Sequence, residues 1–382
     1  MFYNTQSKEQ QENYKNMLEV IGALSNLFTE SKSPILSYRA HENCFCKYFN
    51  ATNLARKDCS VDANKGTLGI GLKTWTGGDI QKVAEFGKLS NELKDLNDDE
   101  LVLKVSEYRN ERISTTMNKY GLENLIYHVV IREKGKMKIA ECNYEKIDCN
   151  NIVRLLNKDR DNTRYFTDGK NVYNFNKAKN TLYMSFDKLK ILDEIDIDIL
   201  ENPFEVLGLL FPKMKEASHE LSLISQSAKN IRRKLAIKLY KQTKNGGFVE
   251  EKSGLNIWNA NGRKRHPNEV YIPFNKVDRE RPENKDFFPP QDQSFNLLLP
   301  DGQTISAKVC QDNGKAIMSN PNKALGKWLL RDVLELPEGT LITYNLLQEK
   351  GFDTVVFEKI DDLNYTVDFT DSSIYYDLYK KD

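Results

Sequence analysis

The sequence has no apolar run approaching the roughly 20 residues that a membrane-spanning helix requires. The first 30 residues are polar and rich in Gln and Glu before one short apolar stretch, which argues against a secretory signal. The composition, with 39% hydrophobic and 29% charged residues, is that of a folded globular protein. At 382 residues the chain is long enough for two or three domains. We therefore expect a cytoplasmic protein without a membrane partner.

Cysteine is scarce and irregularly placed, which argues against a disulfide framework. None of the six cysteines forms a CxxC pair, so reduced thiols are the simplest interpretation. A zinc site would have to combine His41 and Cys59 with the neighbouring Cys44 and Cys46. The C-x-C spacing is not that of a zinc knuckle, and buried structural thiols are favoured over zinc.

The formal charge of +1 conceals one strongly basic stretch. Residues 226–246 contain seven Lys or Arg and no Asp or Glu, and the spacing predicts an amphipathic helix over 220–242. Such a run is either a solvated helix face or a contact with a polyanion. The Gly246-Gly247 step then predicts a domain boundary, which separates an N-terminal domain of residues 1–245 from a C-terminal domain of residues 250–382.

The stretch SVDANKGTLGIGLKTW (60–75) admits three interpretations: a phosphate-binding loop, a nuclease site or a surface hairpin. A phosphate loop requires Lys directly after Gly, but Leu72 separates Gly71 from Lys73, and the alternating apolar residues predict a strand. Asp62 and Lys73 are instead spaced like the carboxylate and ammonium of the PD-(D/E)XK nucleases, which the hairpin resembles. Because Gly occupies position 71, where an acid is usual, a second carboxylate has to come from another element.

Cleavage of a phosphodiester requires a hard cation held by carboxylates and a nearby ammonium. We therefore predict Mg²⁺ as the cofactor. The predicted helix over 77–96 offers Glu85, with Gln81 one turn earlier, and the helix over 40–49 offers Glu42. Asp62 and Glu85 are the preferred metal ligands, although Asp58 could compete with Asp62.

The rest of the chain is read mostly as strands. Hairpins are predicted over 125–147 and 164–186, beyond what a minimal nuclease domain needs. After residue 250, about seven short strands surround one helix at 323–333, which predicts a small barrel. The fold class is therefore α+β, with a nuclease-like domain that ends in the basic helix, followed by a seven-stranded pseudobarrel.

The strings SGLNIWNANGRKRHPNEVYIPF (253–274) and DFFPPQDQSFNLLLPDGQTISAKVCQDNGKAIMSNPNKALGKWLLRDVLEL (286–336) carry a more specific signal. They resemble the C-terminal DNA-binding pseudobarrel of NgoFVII-type restriction endonucleases. Two polar loops of this region carry side chains suited to base edges and phosphates. The predicted DNA contacts are Trp258, Asn259, Asn261, Arg263, Lys264 and Arg265 in the first loop, and Gln311, Asp312, Asn313, Lys315, Ser319, Asn320, Asn322 and Lys323 in the second.

NgoFVII-type enzymes cut with a domain built on H-x-K motifs, and none of the four histidines here belongs to one. A PD-(D/E)XK-like domain joined to this pseudobarrel resembles the BisI group, which cleaves GCNGC sites that carry 5-methylcytosine. The resemblance implies a Mg²⁺-dependent type II restriction endonuclease that binds double-stranded DNA, with no nucleotide cofactor and a transient dimer on DNA. The alternatives are restriction of unmodified DNA and a non-catalytic DNA-binding regulator.

Overall fold

A computed structural model describes residues 1–55, 57, 59–225, 233–243 and 246–379. Helices cover both ends of the chain, while the middle is mostly strands. The α-helices are α1 (Lys8–Ala23), α2 (Tyr38–Phe49), α3 (Ser90–Leu93), α4 (Asp98–Tyr120), α5 (Pro203–Ser225), α6 (Lys276–Arg279), α7 (Ala324–Gly326), α8 (Tyr344–Lys350) and α9 (Ser373–Tyr379).

Eleven strands precede α5 and form two sheets. Six of them have the order β1-β2-β3-β5-β6-β11 and five have the order β4-β10-β9-β8-β7. The strands are β1 (Thr52–Asn53), β2 (Ala63–Lys65), β3 (Leu68–Trp75), β4 (Ile80–Glu85), β5 (Asn124–Glu133), β6 (Lys136–Asn143), β7 (Val153–Arg154), β8 (Thr163–Thr167), β9 (Val172–Asn176), β10 (Thr181–Ser185) and β11 (Lys190–Asp196). The predicted hairpins over 125–147 and 164–186 are thus β5-β6 and β8-β9-β10.

The six-stranded sheet is covered on both faces, so its central strands are buried. Helices α1 and α2 pack on one face through a core that includes Ile70, Leu72 and Val130. Helix α4 and the second sheet pack on the other face through Tyr127 and Val129, among others. Strands β3 and β5 are parallel, and the chain between them passes through α4, as a parallel connection requires.

Local sequence explains where α4 begins and ends. The Asn97 side chain accepts hydrogen bonds from the Asp99 and Glu100 backbone amides, and the Glu100 side chain accepts one from the Asn97 backbone amide. This reciprocal cap satisfies amides that have no partner within the helix. The helix ends at Gly121, whose φ of 61° is left-handed and favours glycine. The cap sets the start of the helix that carries residues of the candidate site.

The C-terminal sheet has seven strands in the order β12-β19-β20-β16-β17-β18-β15. Separate from it is a two-stranded hairpin of β13 (Lys241–Thr243) and β14 (Gly246–Phe248). The seven strands are β12 (Lys234–Lys238), β15 (Ile272–Pro273), β16 (Ser294–Leu298), β17 (Thr304–Cys310), β18 (Ala316–Ser319), β19 (Thr354–Lys359) and β20 (Asn364–Thr370). They enclose one core, capped by α7 and a π-helical segment, Lys327–Val333. This nearly closed sheet agrees with the predicted seven-stranded barrel.

Three predicted elements differ from the structure. The predicted helix over 77–96 is wrong in its first half, because Ile80–Glu85 form β4 and pair with β10; in its second half only Ser90–Leu93 are α-helical. The predicted helix over 220–242 is wrong at its C-terminal end, because Leu235 and Ile237 belong to β12 and fill the barrel core; residues 226–232 of that prediction lie outside the described residues. The barrel therefore takes a strand from before the predicted boundary at 245. Finally, the stretch 339–345, which the sequence predicts as a strand, contains none, and its last two residues begin helix α8.

Helix α4 also joins the two parts of the molecule. It packs against α8 and the π-helical segment of the C-terminal part. The Arg112 Nε donates to the Glu349 carbonyl at 3.4 Å, and Lys350 and Glu111 form an ion pair of 3.5 Å across the junction. Within the described residues, no helix is long and apolar enough to cross a membrane.

Candidate active site and DNA-binding surface

Asp62 and Lys73 lie on the same face of the β2-β3 hairpin. Asp62 directly precedes β2, and its backbone amide donates to the Ile70 carbonyl at 2.9 Å, which places it opposite Gly71. Its Oδ2 accepts a hydrogen bond of 2.7 Å from the Leu72 amide. Side chains alternate along β3: Ile70 and Leu72 enter the core beneath α1 and α2, so Lys73 projects to the side of Asp62.

The two groups are half-buried and act on each other electrostatically. Burial raises the pKa of Asp62, and the Lys73 charge is the largest influence in the opposite direction. Burial likewise lowers the pKa of Lys73, against which the Asp62 charge acts. A carboxylate and an ammonium that are both partly shielded from water, each with its charged form disfavoured, are typical of functional sites.

Gly71 explains why the hairpin carries one acid where two would be usual. A Cβ at this position would lie 2.8 Å from the Tyr127 ring and 3.3 Å from the Tyr144 ring. Those rings stack face to face with centroids 4.1 Å apart. A carboxylate side chain has no room there, so the second carboxylate has to come from outside the hairpin.

Helix α2 places one carboxylate outside the hairpin, Glu42, within range of the charges of Asp62 and Lys73. Its side chain is 8% exposed and forms an ion pair of 2.9 Å with Arg39. Burial raises the pKa of Glu42, the Arg39 hydrogen bond opposes this, and the charges of both Asp62 and Lys73 act on it. Asp62 and Lys73 therefore lie within electrostatic range of Glu42.

Glu85 and Gln81 are placed differently from their predicted helix. Both lie on β4, at the edge of the second sheet, where Glu85 is exposed and forms an ion pair of 3.0 Å with Lys82. The Gln81 amide donates to the Gly78 carbonyl at 3.1 Å. The remaining alternative, Asp58, lies outside the described residues.

The carboxylate pair has the chemistry of a magnesium site. Mg²⁺ is commonly held by one or two carboxylates and keeps several waters. Burial raises the pKa of both Asp62 and Glu42, and a bound divalent cation would favour their ionised forms. The residues present therefore fit Mg²⁺, with Glu42 in place of Glu85.

The residues predicted as alternative zinc ligands do not form a metal-binding cluster in the described part of the chain. His41 Nε2 is hydrogen-bonded to the Tyr14 hydroxyl at 3.0 Å, and the Cys59 thiol donates to the Val61 carbonyl at 3.1 Å. Across the described residues, no three His, Cys, Asp or Glu side chains converge in a way that could hold a metal.

The sequence analysis missed one charged residue beside this site. Arg109, on α4, is 2% exposed, and its charge acts on Lys73. Its Nη1 donates to the Glu145 carbonyl at 2.9 Å, and the guanidinium lies over the Tyr144 ring at 5.2 Å. No sequence signal marked it, because an Arg within a helix is ordinarily exposed.

The first predicted DNA-contacting loop is held together by its own arginines. Arg263 forms a bidentate ion pair with Glu269, yet 56% of its side chain is exposed. Arg265 is 15% exposed, and its Nη1 donates to the carbonyls of Ala260, Asn261 and Arg263. Lys264 is exposed between them. Arg263 and Lys264 are therefore available to a ligand, whereas Arg265 shapes the loop.

Two further residues of this loop lie at its base. The Asn259 side chain donates to the Glu251 carbonyl at 3.1 Å. Trp258 is half-buried, and its indole N–H has no hydrogen-bond partner among the described residues. Asn261, by contrast, is exposed. Because the Trp258 N–H is also buried from solvent, Asn261 is the more accessible of these groups to a ligand.

The second predicted loop is two separate turns at opposite ends of β18. One turn, between β17 and β18, carries Gln311, Asp312, Asn313 and Lys315. The other follows β18 with Asn320, Asn322 and Lys323. Strand β15 runs antiparallel to β18, so the first loop, which precedes β15, lies beside the second of these turns.

Ser319 is buried between β18 and that turn. Its hydroxyl donates to the Pro321 carbonyl and accepts from the Leu325 amide, both at 2.9 Å. Close packing continues at Gly326, where a Cβ would lie 2.1 Å from the Asn268 carbonyl oxygen. Ser319 therefore fixes the turn that presents Asn320 and Asn322, which are exposed.

Comparison with known families identifies the C-terminal part. Residues 229–361 match the model of the NgoFVII C-terminal B3-like DNA-binding domain. This part is a restriction-enzyme-type DNA-binding domain. The match begins before β12, which agrees with the place of that strand in the seven-stranded sheet. No curated protein matches the chain.

Proposed function

We propose that the protein is a Mg²⁺-dependent type II restriction endonuclease that cleaves double-stranded DNA at a short GC-rich site, GCNGC carrying 5-methylcytosine. The observation that carries the nuclease proposal is the cluster of Asp62, Glu42 and Lys73 in a chain that also contains a restriction-enzyme-type DNA-binding domain. The choice of site and of methylation rests on the resemblance to the BisI group.

The proposed chemistry assigns one task to each side chain. Asp62 and Glu42 would hold Mg²⁺, which when bound supplies charge neutralisation at phosphorus and activation of water. The Leu72 amide fixes the Asp62 carboxylate through its hydrogen bond. Lys73 donates to an oxygen of the scissile phosphate or to the attacking water. Because burial lowers its pKa, its ammonium releases a proton more readily than an exposed lysine does.

Binding is assigned to the barrel. Lys264 and Arg263 would contact phosphates or guanine edges, and the exposed amides of Asn320 and Asn322 suit adenine edges. These groups lie on neighbouring segments, since the first loop and the turn after β18 are adjacent. The two segments form one surface that a DNA groove could contact.

A plasmid digest tests the proposal. One plasmid, either methylated at the cytosines of its GCNGC sites or unmethylated, is incubated with the protein in Mg²⁺ or in EDTA. We expect double-strand cleavage only of methylated DNA in Mg²⁺. Equal cleavage of both plasmids would leave a conventional restriction enzyme. Binding without cleavage under every condition would instead favour the non-catalytic regulator.

A further inference from the structure

The described residues that precede β2, namely 54, 55, 57 and 59–62, form a segment that determines where Asp62 lies. The segment is closed at its base, because the Leu54 amide donates to the Asp62 carbonyl at 2.8 Å. On the N-terminal side of the molecule, the Ser60 amide donates to Thr116 Oγ1 at 3.0 Å, and the Tyr144 hydroxyl donates to the Ser60 carbonyl at 2.8 Å. A shift of this segment would therefore move the Asp62 carboxylate.

The C-terminal barrel holds the same segment through a buried carboxylate. Asp368, on β20, forms an ion pair of 3.0 Å with Lys57, within the segment, and one of 2.7 Å with Lys119 of α4. The Tyr120 hydroxyl donates to Asp368 Oδ2 at 3.2 Å. The Asp368 side chain is only 10% exposed, so water screens these contacts weakly.

The ionisation of the Asp368 carboxylate depends on both lysines. Burial acts to raise the pKa of Asp368, but the charges and hydrogen bonds of Lys119 and Lys57 outweigh it and lower that pKa. A buried carboxylate that loses a cationic partner is left poorly compensated. Asp368 therefore favours the position of the segment in which Lys57 reaches it.

The surroundings leave the segment room to move when that contact is absent. A cavity of about 530 Å³ lies between the two parts of the molecule. Its lining includes Cys59 and Ser60 of the segment, opposite Gln348 and Gly351 of the barrel. Because the cavity borders the segment, close packing does not by itself fix the position of Asp62.

We propose that Asp368 is a positioning residue for Asp62: the barrel contributes a buried carboxylate that holds Lys57 and, with it, the segment carrying the metal-ligand carboxylate. The inference rests on the proposed nuclease function for its effect on activity. It explains why the DNA-binding and cutting parts are joined through α4 and this segment rather than by a linker alone.

The test replaces Lys57 by methionine in the full-length chain, with Lys88→Met as the matched control. Lys88 also pairs with a barrel carboxylate across the junction, Asp371 at 3.7 Å, but lies outside the segment. We expect Lys57→Met to lower kcat roughly 10-fold to 100-fold, the range that misplacement of a catalytic group produces, while the Kd for DNA is unchanged. Lys57→Arg should restore much of the rate, and Lys88→Met should leave kcat unchanged.

A second readout is independent of activity. Hydrogen exchange of the Asp62 and Leu72 amides in the free protein should accelerate in Lys57→Met but not in Lys88→Met, because both amides report on the hydrogen bonds that fix Asp62. Unchanged exchange at both amides in Lys57→Met would overturn the inference even if the protein cuts DNA. If exchange is faster in Lys57→Met but the wild-type protein cuts no DNA, the positioning role is supported and the nuclease function is refuted.

Discussion

The two parts of the molecule treat their buried carboxylates differently. In the barrel, Asp278 is 1% exposed and accepts hydrogen bonds from the Tyr375 hydroxyl at 2.7 Å and the Asn275 amide at 2.6 Å. In the N-terminal part, Asp62 and Glu42 lie close enough to Lys73 for their charges to interact, and burial raises the pKa of both. A carboxylate held by hydrogen bonds and by an ion pair of 3.6 Å with Arg281 serves the fold, whereas two acids with disfavoured charges are typical of a site that awaits a ligand.

The largest expected effect concerns the N-terminal cluster. Asp62→Asn, Glu42→Gln and Lys73→Met should each lower the cleavage rate by about 10²-fold or more, since each removes a preorganised group from the reaction. Glu85→Gln, a matched loss of one carboxylate on β4, should cleave at the wild-type rate. Rates are measured on a methylated GCNGC duplex, and DNA affinity serves as the control for folding. A strong loss in Glu85→Gln with normal turnover in Glu42→Gln would restore the original choice of metal ligand.

The independence of the barrel can be tested by truncation. Leu235 and Ile237 of β12 are fully buried in the barrel core, and burial of each contributes roughly 1.5–3 kcal/mol, a large share of a typical domain's 5–15 kcal/mol. A fragment of residues 229–382 should therefore fold and bind DNA without cutting it, whereas residues 250–382 alone should not fold. Circular dichroism and thermal melting distinguish the two. A cooperative transition in the shorter fragment would show that β12 is dispensable.

The pH dependence of cleavage should reflect the disfavoured charges of the N-terminal cluster. Burial raises the pKa of Asp62 and Glu42 and lowers that of Lys73. As the pH falls, the two carboxylates should therefore become protonated at a pH above their ordinary pKa values. As the pH rises, the Lys73 ammonium should lose its proton at a pH below its ordinary pKa. At limiting Mg²⁺, where the metal-free carboxylates titrate, the pH–rate profile should be a bell narrower on both sides than exposed groups would give. A rate that stays constant down to the ordinary carboxylate range would contradict this account.

A smaller effect is expected at the barrel surface. Lys264 is exposed and, in the described part of the chain, forms no ion pair, so its proposed role is phosphate contact alone. Lys264→Gln should weaken binding to all sequences alike and reduce the slope of log K against log salt by about 0.9. Titrations of specific and unrelated duplexes at several salt concentrations measure the slope. A loss confined to the specific duplex would mean that Lys264 reads a base.

Sequence reasoning worked best where local pattern determines structure. The β2-β3 hairpin, the strand pairs after residue 124 and most barrel strands follow from alternation and turn residues. The choice between Glu85 and Glu42 could not be predicted in that way. It depends on β4 joining β10 in another sheet and on Tyr127 and Tyr144 filling the space beside Gly71. Both are contacts between residues distant in sequence, as are those of Arg109 and Asp368.

The smallest effect tests the comparison through stability alone. In the double variant Asp62→Asn, Lys73→Met, two half-buried charges become neutral, and the Asn side-chain oxygen can still accept from the Leu72 amide. Burial shifts the pKa of each residue against its charged form, and replacing buried charged groups by neutral ones is often neutral or stabilising. We expect the free energy of unfolding at neutral pH to rise by on the order of 1 kcal/mol.

The control is Asp278→Asn, which disturbs a satisfied hydrogen-bond cluster in the barrel and should lower stability by about 1–3 kcal/mol. Urea denaturation of the two variants and the wild type measures both changes. If the double variant were destabilised as much as Asp278→Asn, the N-terminal charges would be structural, and the contrast between the two parts of the molecule would disappear.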